Sequence, residues 1–225
     1  RYVSIRSDHS LVPQTYTIPR DFSSAAFFIV AATLAPEALL RLPGVGVNPS
    51  RAALLDLLTA MGANITISNS RLRSGEPIAD MDIRHGELTG LTVGGEIVPN
   101  LIDEIPILAV AATQAVGTTT IHDAAELRVK ESDRIAAMAE GLSRLGANVV
   151  ELEDGLRIEG PTQLTGAEVE SKGDHRVAMS LGVAGLLADG VTTIRGAEAD
   201  AVSYPGFLQD LDAVSFSREA HSAKK

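Results

Sequence analysis

The chain has 225 residues, of which 45% are hydrophobic and 21% are charged, which is the balance of a globular protein. Its net charge of -10 excludes binding to nucleic acid or to an anionic membrane through the overall electrostatic field. Cysteine is absent, which excludes disulfides and thiolate ligands within these residues and fits a reducing, cytoplasmic compartment. The longest apolar runs, of about eight residues, are too short to cross a membrane. The histidines show no metal-ligand spacing, so no metal site is expected.

Three stretches of the chain repeat the same order of predicted elements, and they begin at Asp21, Asp103 and Asp174. In each stretch, an Asp precedes an Ala-rich apolar helix, and a short strand and a second helix follow. The Ala-rich helices are predicted at 24–34, 106–116 and 176–188. Because these helices are apolar on nearly all sides, we expect them to pack together at the centre of the domain, with the sheets outside.

The shorter elements complete each repeat. Strands are predicted at 39–42, 65–68, 77–84, 91–93, 118–121, 149–152, 156–158 and 192–194. Second helices are predicted to start near Pro49, Lys130 and Pro205, and Gly62 and Gly146 are expected at helix ends because glycine takes positive φ freely. The sequence therefore predicts one α/β domain at 19–216, built from repeated units. Residues 1–18 do not match the repeat, and residues 217–225 read as a polar tail.

The Asp that opens each repeat has an ordinary explanation as a helix N-cap, in which its carboxylate accepts an N–H of the first turn. The repeats differ in the polar residues within three positions after the Asp, which are Ser23 and Ser24 in the first, Glu104 in the second, and His175 and Arg176 in the third. A histidine at a helix start can be structural or catalytic, and the sequence leaves both possibilities for His175.

Charge is concentrated at the second helix start of the second repeat, in the segment LRVKESDRI. One interpretation is a solvated helix face with Ser132 or Asp133 as the cap. The equivalent turns of the other repeats carry little charge, however, and the free N–H groups of a helix start favour an anion. We therefore predict that Lys130 and Arg134 bind a phosphate or carboxylate, with Glu131 able to give or take a proton.

Arg176 places a second guanidinium at a helix start, and guanidinium suits two-point binding of a carboxylate or phosphate. We expect Lys130, Arg134 and Arg176 to share one cavity near Asp103 and Glu131. That cavity is predicted to have a positive potential in an otherwise negative molecule.

The motifs LRVKESDRI, GDHRVAMS and SYPGF, with DFSSAAFF and IDEIP upstream, closely resemble the 5-enolpyruvylshikimate-3-phosphate synthase family, over residues 16 to 211. The resemblance implies three βαβαββ units forming one of two similar domains, with the ligands in the cleft between them. It implies transfer of the enolpyruvyl group of phosphoenolpyruvate to the 5-hydroxyl of shikimate 3-phosphate, a step of aromatic amino acid biosynthesis. It also implies that no metal or organic cofactor takes part.

The resemblance assigns roles to five residues. Asp103 would accept the proton of the 5-hydroxyl, and Glu131 would protonate the methylene carbon of phosphoenolpyruvate and later remove a proton. Lys130 would contact the substrates and the transferring group. Arg134 and Arg176 would grip phosphoenolpyruvate.

Two positions depart from the family pattern, since Glu126 stands where some members have Asn and Val202 where some have Lys. The Lys-Ser pair, Ser-Ser-Gln cluster and further Arg of the family's N-terminal domain have no counterpart here. The chain is therefore expected to be the C-terminal half, inactive alone, with residues 1–18 as a hinge and the last strand of the missing domain. Alternatives are a UDP-N-acetylglucosamine enolpyruvyl transferase domain and a non-catalytic anion-binding module.

Overall fold

The computed structural model describes residues 3–4, 6, 10 and 12–215. The predicted hinge at 1–18 therefore lies partly outside the described residues, and the predicted tail at 217–225 lies wholly outside them. Residues 12–18 are exposed and belong to no helix or strand.

Three consecutive units make up the fold. The first contains α1 (Phe22–Leu34), β1 (Leu39–Gly46), α2 (Ala53–Met61), β2 (Asn64–Arg73) and β3 (Glu76–Arg84). The second contains β4 (Thr92–Val93), α3 (Ile105–Thr113), β5 (Gly117–Ile121), α4 (Arg134–Arg144), β6 (Asn148–Leu152) and β7 (Gly155–Gly160). The third contains β8 (Glu168–Glu170), α5 (His175–Leu187), β9 (Thr193–Arg195) and α6 (Phe207–Val214).

The units share one pairing scheme. A short strand before each Ala-rich helix pairs in parallel with the strand after it: β4 with β5, β8 with β9, and Arg20 with Val45 through a single bridge. In the first two units, an antiparallel hairpin then joins, which gives the sheet orders β1-β3-β2 and β4-β5-β7-β6. In the third unit, the described chain ends after α6 and the sheet has only β8 and β9. This arrangement confirms the predicted α/β class with βαβαββ-like units.

The Ala-rich helices form the centre of the molecule. α1, α3 and α5 contact one another, and every residue of α3 is buried. Alanine allows such close packing because it adds little bulk to the helix surface. An aromatic cluster at one end joins α1 to α6, where the rings of Phe27 and Phe207 lie 5.4 Å apart, edge to face. The predicted burial of these helices on most sides is therefore confirmed.

The predicted N-caps are confirmed at two of the three helix starts. Asp21 accepts the N–H of Ser24 at 2.7 Å, and Asp174 caps α5. The prediction is wrong for Asp103, because α3 begins at Ile105 after Glu104, and neither carboxylate caps it. Pro at the start of α3 lacks one of the N–H groups that a cap would satisfy, so Asp103 is available for another partner.

The second helices begin two to four residues later than predicted, at Ala53, Arg134 and Phe207. Before α4, residues 125–129 form a short 3₁₀ turn, and Asp133 then takes an extended conformation in which its carboxylate accepts the N–H of Ala136. Lys130 therefore lies at the end of that turn and not in the first turn of α4. The glycine predictions are correct, since φ is +106° at Gly62 and +89° at Gly146.

Candidate active site

Three helix starts meet at one place on the domain. α3 contributes Asp103 and Glu104, which directly precede it, α4 contributes Arg134 with the preceding Glu131, and α5 contributes Arg176. The first helix of a unit packs on its counterparts, so residues at equivalent helix starts become neighbours although they are far apart in the chain. Predicted site residues from two different units therefore lie in contact.

Arg134 is the centre of this cluster. Its side chain is only 2% exposed, and its three nitrogens contact three carboxylates: Nε lies 2.8 Å from Asp174, Nη1 lies 3.2 Å from Asp103, and Nη2 lies 2.6 Å from Glu131. A buried guanidinium needs such partners, because an unpaired buried charge is strongly unfavourable. The fork geometry of arginine allows one side chain to hold all three.

Asp174 is the deeply buried member of the cluster, with no exposed side-chain surface. It caps α5 by accepting the N–H groups of Arg176 at 2.8 Å and Val177 at 3.3 Å, and Ser132 donates to it at 3.2 Å. Burial acts to raise the pKa of Asp174, but Arg134 and the helix N–H groups outweigh it, so the pKa is lowered. Asp174 therefore stays ionised and fixes Arg134 from the core side.

Arg176 has a different environment. Its Nη1 lies 3.4 Å from the carboxylate of Glu104 and 3.4 Å from the carbonyl oxygen of Asp103, and its guanidinium carbon lies 6.0 Å from the centre of the Phe27 ring. Burial raises the pKa of Glu104, although Ser23 donates to it at 2.6 Å and Arg176 lies nearby. The side chain of Arg176 is 12% exposed. Arg176 is therefore held by fewer and longer contacts than Arg134.

Lys130 and Glu126, two further predicted residues, form an ion pair with each other at 2.7 Å. Glu126 is 66% exposed and Lys130 is 24% exposed. The position that departs from the family pattern therefore supplies the partner of Lys130. Arg128 anchors the same turn to the β6–β7 hairpin by donating to the carbonyl oxygens of Leu152 at 2.6 Å and Glu153 at 2.7 Å.

His175 is the first residue of α5 and is half-buried. Burial, with a further contribution from the charge of Arg176, lowers its pKa below the ordinary 6.5, so the imidazole is neutral at pH 7. Glu131 and Asp174 lie close enough to influence it electrostatically. His175 therefore borders the cluster as a neutral group.

The predicted positive potential is wrong for this cluster, because its carboxylates outnumber its guanidiniums. Arg134 and Arg176 do converge on Asp103, as expected, but four carboxylates surround the two guanidiniums: Asp103, Glu104, Glu131 and Asp174. Side chains that the sequence showed as separate charges have paired within the cluster. Two surface clefts of about 350 and 300 Å³ are lined by other residues, which include Gln114 and Leu208, respectively.

Sequence reasoning missed three partners in this region. Asp174 was predicted only as a cap, whereas Ser23 and Arg51 were given no role; Arg51 donates to the Ser23 hydroxyl at 2.9 Å. The signal for Ser23 was its place two residues after the Asp of the first repeat, the position that Arg176 occupies in the third. No local signal pointed to Arg51, because its contact joins the start of α2 to the start of α1.

The arrangement can carry acid–base chemistry on an anion. Glu131 and Asp103 are 51% and 32% exposed, so both carboxylates can reach a bound molecule. The guanidinium of Arg134 lies between them. Among residues 12–215 no group of three or more His, Asp or Glu residues could hold a metal ion, and no described helix is long and apolar enough to cross a membrane.

Comparisons with known proteins show what this chain is similar to. Residues 1–211 match the family model of EPSP synthase (3-phosphoshikimate 1-carboxyvinyltransferase). A 3-phosphoshikimate 1-carboxyvinyltransferase of Salinibacter ruber is 53% identical over 218 residues, which cover 96% of this chain and 51% of the relative. One of Gloeobacter violaceus is 54% identical over 211 residues, which cover 94% of this chain and 49% of the relative.

Solved structures show the same relationship. The EPSP synthase of Acinetobacter baumannii superposes with a TM-score of 0.88 at 42% identity, over 93% of this chain and 49% of that one. An enolpyruvyl transferase of Streptomyces tendae superposes with a TM-score of 0.68 at 22% identity, over 85% of this chain and 42% of that one, which shows the shared fold. The chain thus spans about half the length of the relatives it matches. On the family model and these identities, it belongs to the EPSP synthase family.

Proposed function

We propose that this chain is the phosphoenolpyruvate-side half of an enzyme that transfers the enolpyruvyl group of phosphoenolpyruvate to the 5-hydroxyl of shikimate 3-phosphate. The observation that carries the proposal is the contact of Asp103 and Glu131 with one guanidinium, Arg134, beside a second guanidinium, Arg176. Two proton-transferring groups and two anion-binding groups are the parts that this reaction needs. Membership of the family supplies the reaction class, and the cysteine-free sequence supports a cytoplasmic location.

Substrate binding requires an exchange of anions at Arg134. In the structure, Nη1 and Nη2 of Arg134 are taken by Asp103 and Glu131. The carboxylate of phosphoenolpyruvate would replace these two side chains, while Nε stays bound to Asp174. The exchange frees Glu131 and Asp103 for proton transfer at the moment the substrate arrives. Arg176 would bind the other side of the same anion, and Lys130 would leave Glu126 to contact the transferring group.

The chemistry then follows in two stages. Asp103 takes the proton of the 5-hydroxyl as the hydroxyl oxygen bonds to C2 of phosphoenolpyruvate. Glu131, which takes up a proton from water when it leaves Arg134, gives that proton to the C3 methylene, which becomes a methyl group. Glu131 then removes a proton from that methyl group while the C2–O bond to phosphate breaks. The C2–C3 double bond re-forms, and phosphate leaves. Glu131 ends protonated and Asp103 passes its proton to the released phosphate or to water, so the charges balance over one cycle.

The remaining contacts would come from the half of the enzyme that this chain does not contain. The relatives are about twice as long, and a cleft between two domains needs both walls to align the substrates. We propose that this chain alone has little or no turnover. Neither a cofactor nor a metal, nucleic acid or membrane partner enters the proposed reaction.

Phosphate release with both substrates tests the proposal. The chain would be assayed alone and after mixing with the half of the Salinibacter ruber relative that the match leaves uncovered, which we propose to be the N-terminal half. We expect release only from the mixture, and loss of about a hundredfold or more in rate with Glu131→Gln. Turnover by the pure chain would refute the need for a second half, and no rescue at high concentration would refute complementation.

The same assay separates the alternatives. Phosphate release with a UDP-N-acetylglucosamine acceptor in place of shikimate 3-phosphate would assign the chain to the sister reaction. The complete burial of Arg134 is also the feature expected of a purely structural ion cluster. A mixture that is active and unaffected by Glu131→Gln would support such a non-catalytic role for the cluster.

A further inference from the structure

Glu104 occupies an unusual position for a carboxylate. It directly precedes α3, where an acidic side chain would ordinarily cap the helix, yet it makes no capping hydrogen bond. Its side chain is instead 3% exposed and lies between Ser23 of α1 and Arg176 of α5. Glu104 therefore links the first helices of all three units at the level of the proposed site.

The contacts of Glu104 form a directed chain of hydrogen bonds. Arg51 Nη2 donates to the Ser23 hydroxyl at 2.9 Å, and that hydroxyl donates to Glu104 Oε1 at 2.6 Å. Because the single hydroxyl proton is used toward Glu104, the lone pairs of Ser23 are free to accept from Arg51. The cation of Arg51 thereby polarises the hydroxyl and strengthens its bond to Glu104. Ser23 and Arg51 together hold the carboxylate in one place.

The same oxygen, Oε1 of Glu104, accepts from Arg176 at 3.4 Å. Nη1 of Arg176 donates both to Glu104 and to the carbonyl oxygen of Asp103. The centre of the Phe27 ring lies 6.0 Å from the guanidinium carbon of Arg176. These contacts fix one edge of the guanidinium and leave the Nε and Nη2 edge for a planar anion. Glu104 is thus the carboxylate that contacts Arg176 directly.

We propose that Glu104, held by Ser23 and Arg51, is a positioning residue that orients Arg176 toward the carboxylate of phosphoenolpyruvate. Glu104 does not itself contact the substrate and acts through Arg176. The inference deepens the proposed function and rests on it for the identity of the anion, whereas the orientation of Arg176 can be measured independently.

The first measurement needs no turnover. The side-chain Nε–H signals of the 225-residue chain would be recorded by NMR, with Arg176→Lys used to assign the Arg176 signal. We expect Glu104→Gln and Ser23→Ala to shift this signal and to speed its exchange with water, because the fixed edge is released. Ser24→Ala is the matched control, since Ser24 lies in the same helix turn but bonds to Asp21. An Arg176 signal unchanged in both Glu104→Gln and Ser23→Ala would overturn the proposal.

The second measurement uses the chain complemented with the N-terminal half. We expect Glu104→Gln to raise KM for phosphoenolpyruvate by about tenfold, the loss of one charge-assisted contact, with kcat changed by less than about threefold. KM for shikimate 3-phosphate should stay unchanged. If the Arg176 signal shifts but KM for phosphoenolpyruvate does not change, the orientation that Glu104 gives to Arg176 has no effect on substrate binding. That result also overturns the proposal.

The two measurements separate this inference from the proposed function. If the wild-type mixture has no turnover, the proposed function fails, and the NMR result still decides whether Glu104 orients Arg176. Urea unfolding of each variant excludes a global folding defect as the cause of a change. If Glu104→Gln unfolds the chain, both measurements are made on Ser23→Ala instead, because that variant keeps the Glu104 carboxylate.

Discussion

Arg134 and Arg176 stand at the starts of two neighbouring helices and point to the same Asp103, yet their surroundings differ. Arg134 is 2% exposed and contacts three carboxylates, one of which, Asp174, has no exposed surface. Arg176 is 12% exposed and contacts one carboxylate and one carbonyl oxygen at 3.4 Å. The difference teaches that Arg134 is held by carboxylates on all three nitrogens, whereas Arg176 is held through Nη1 and leaves its Nε and Nη2 edge for an anion.

Removal of the more tightly held guanidinium should give the largest effect. Arg134→Met leaves Asp174 buried without its cation, and breaking a buried ion pair costs about 3–5 kcal/mol of the free energy of unfolding. Urea unfolding followed by circular dichroism measures it. Arg176→Met serves as the comparison. It should lower the free energy of unfolding by less, because the Ser23 hydroxyl still donates a hydrogen bond to Glu104. Equal losses in the two variants would contradict the distinction between the two sites.

The two buried carboxylates should respond to pH in opposite directions. The pKa of Asp174 is lowered from its ordinary 3.8, so its contribution to stability is present above that value and is lost as pH falls through the lowered pKa. The pKa of Glu104 is raised from its ordinary 4.5, so its contribution is present below that value and is lost as pH rises through the raised pKa.

Unfolding free energies measured across this acidic range would show the contrast. As pH rises, the advantage of the wild type over Asp174→Asn should grow, and its advantage over Glu104→Gln should shrink. Each variant acts as the control for the other. Parallel trends in the two differences would mean that the cluster titrates as a single group and that the two environments are not distinct.

The smallest effect is expected at the exposed edge of the cluster. Glu126→Asn removes the exposed partner of Lys130, and such a pair contributes less than about 1 kcal/mol to stability. Because Lys130 no longer pairs with Glu126 in this variant, it should bind phosphoenolpyruvate more strongly. The complemented enzyme should therefore show a lower KM for phosphoenolpyruvate. Arg144→Ala breaks another exposed i,i+4 pair, with Glu140, and is the control that should leave turnover unchanged. If Glu126→Asn lowers the free energy of unfolding by more than about 2 kcal/mol, the Glu126–Lys130 pair stabilises the fold and this expectation is wrong.

Local patterns in the sequence were enough for much of the fold. The all-apolar faces of α1, α3 and α5 predicted their burial, and glycine at positions 62 and 146 predicted the helix ends, because these features depend on the residues themselves. The starts of the second helices were harder to predict from the sequence. Asp133 sets the start of α4 only after the 3₁₀ turn at 125–129 has formed, and that turn is anchored by Arg128 to a hairpin twenty-four residues away.

The sequence suggested which residues lie near one another but not how their charges pair. Asp103, Glu131 and Arg134 are in contact and Arg176 reaches the carbonyl oxygen of Asp103, whereas Lys130 pairs with Glu126. Whether a guanidinium faces solvent or a carboxylate depends on contacts between units, such as Arg134 with Asp174, forty residues apart. No pattern within one repeat could show that pairing, and for the same reason Ser23 and Arg51 escaped notice.

Within residues 12–215, no hairpin pairs with β9 as β3 pairs with β1 and β7 with β5, so the described part of β9 has a strand partner on one side alone. An uncovered strand presents unpaired amide and carbonyl groups that can recruit a foreign strand and seed aggregation. The short length of β9 and the charged Arg195–Glu168 pair beside it are the kind of features that discourage such pairing. Aggregation of the purified chain through the edge of β9 is therefore opposed by the shortness of that strand and by the charge beside it.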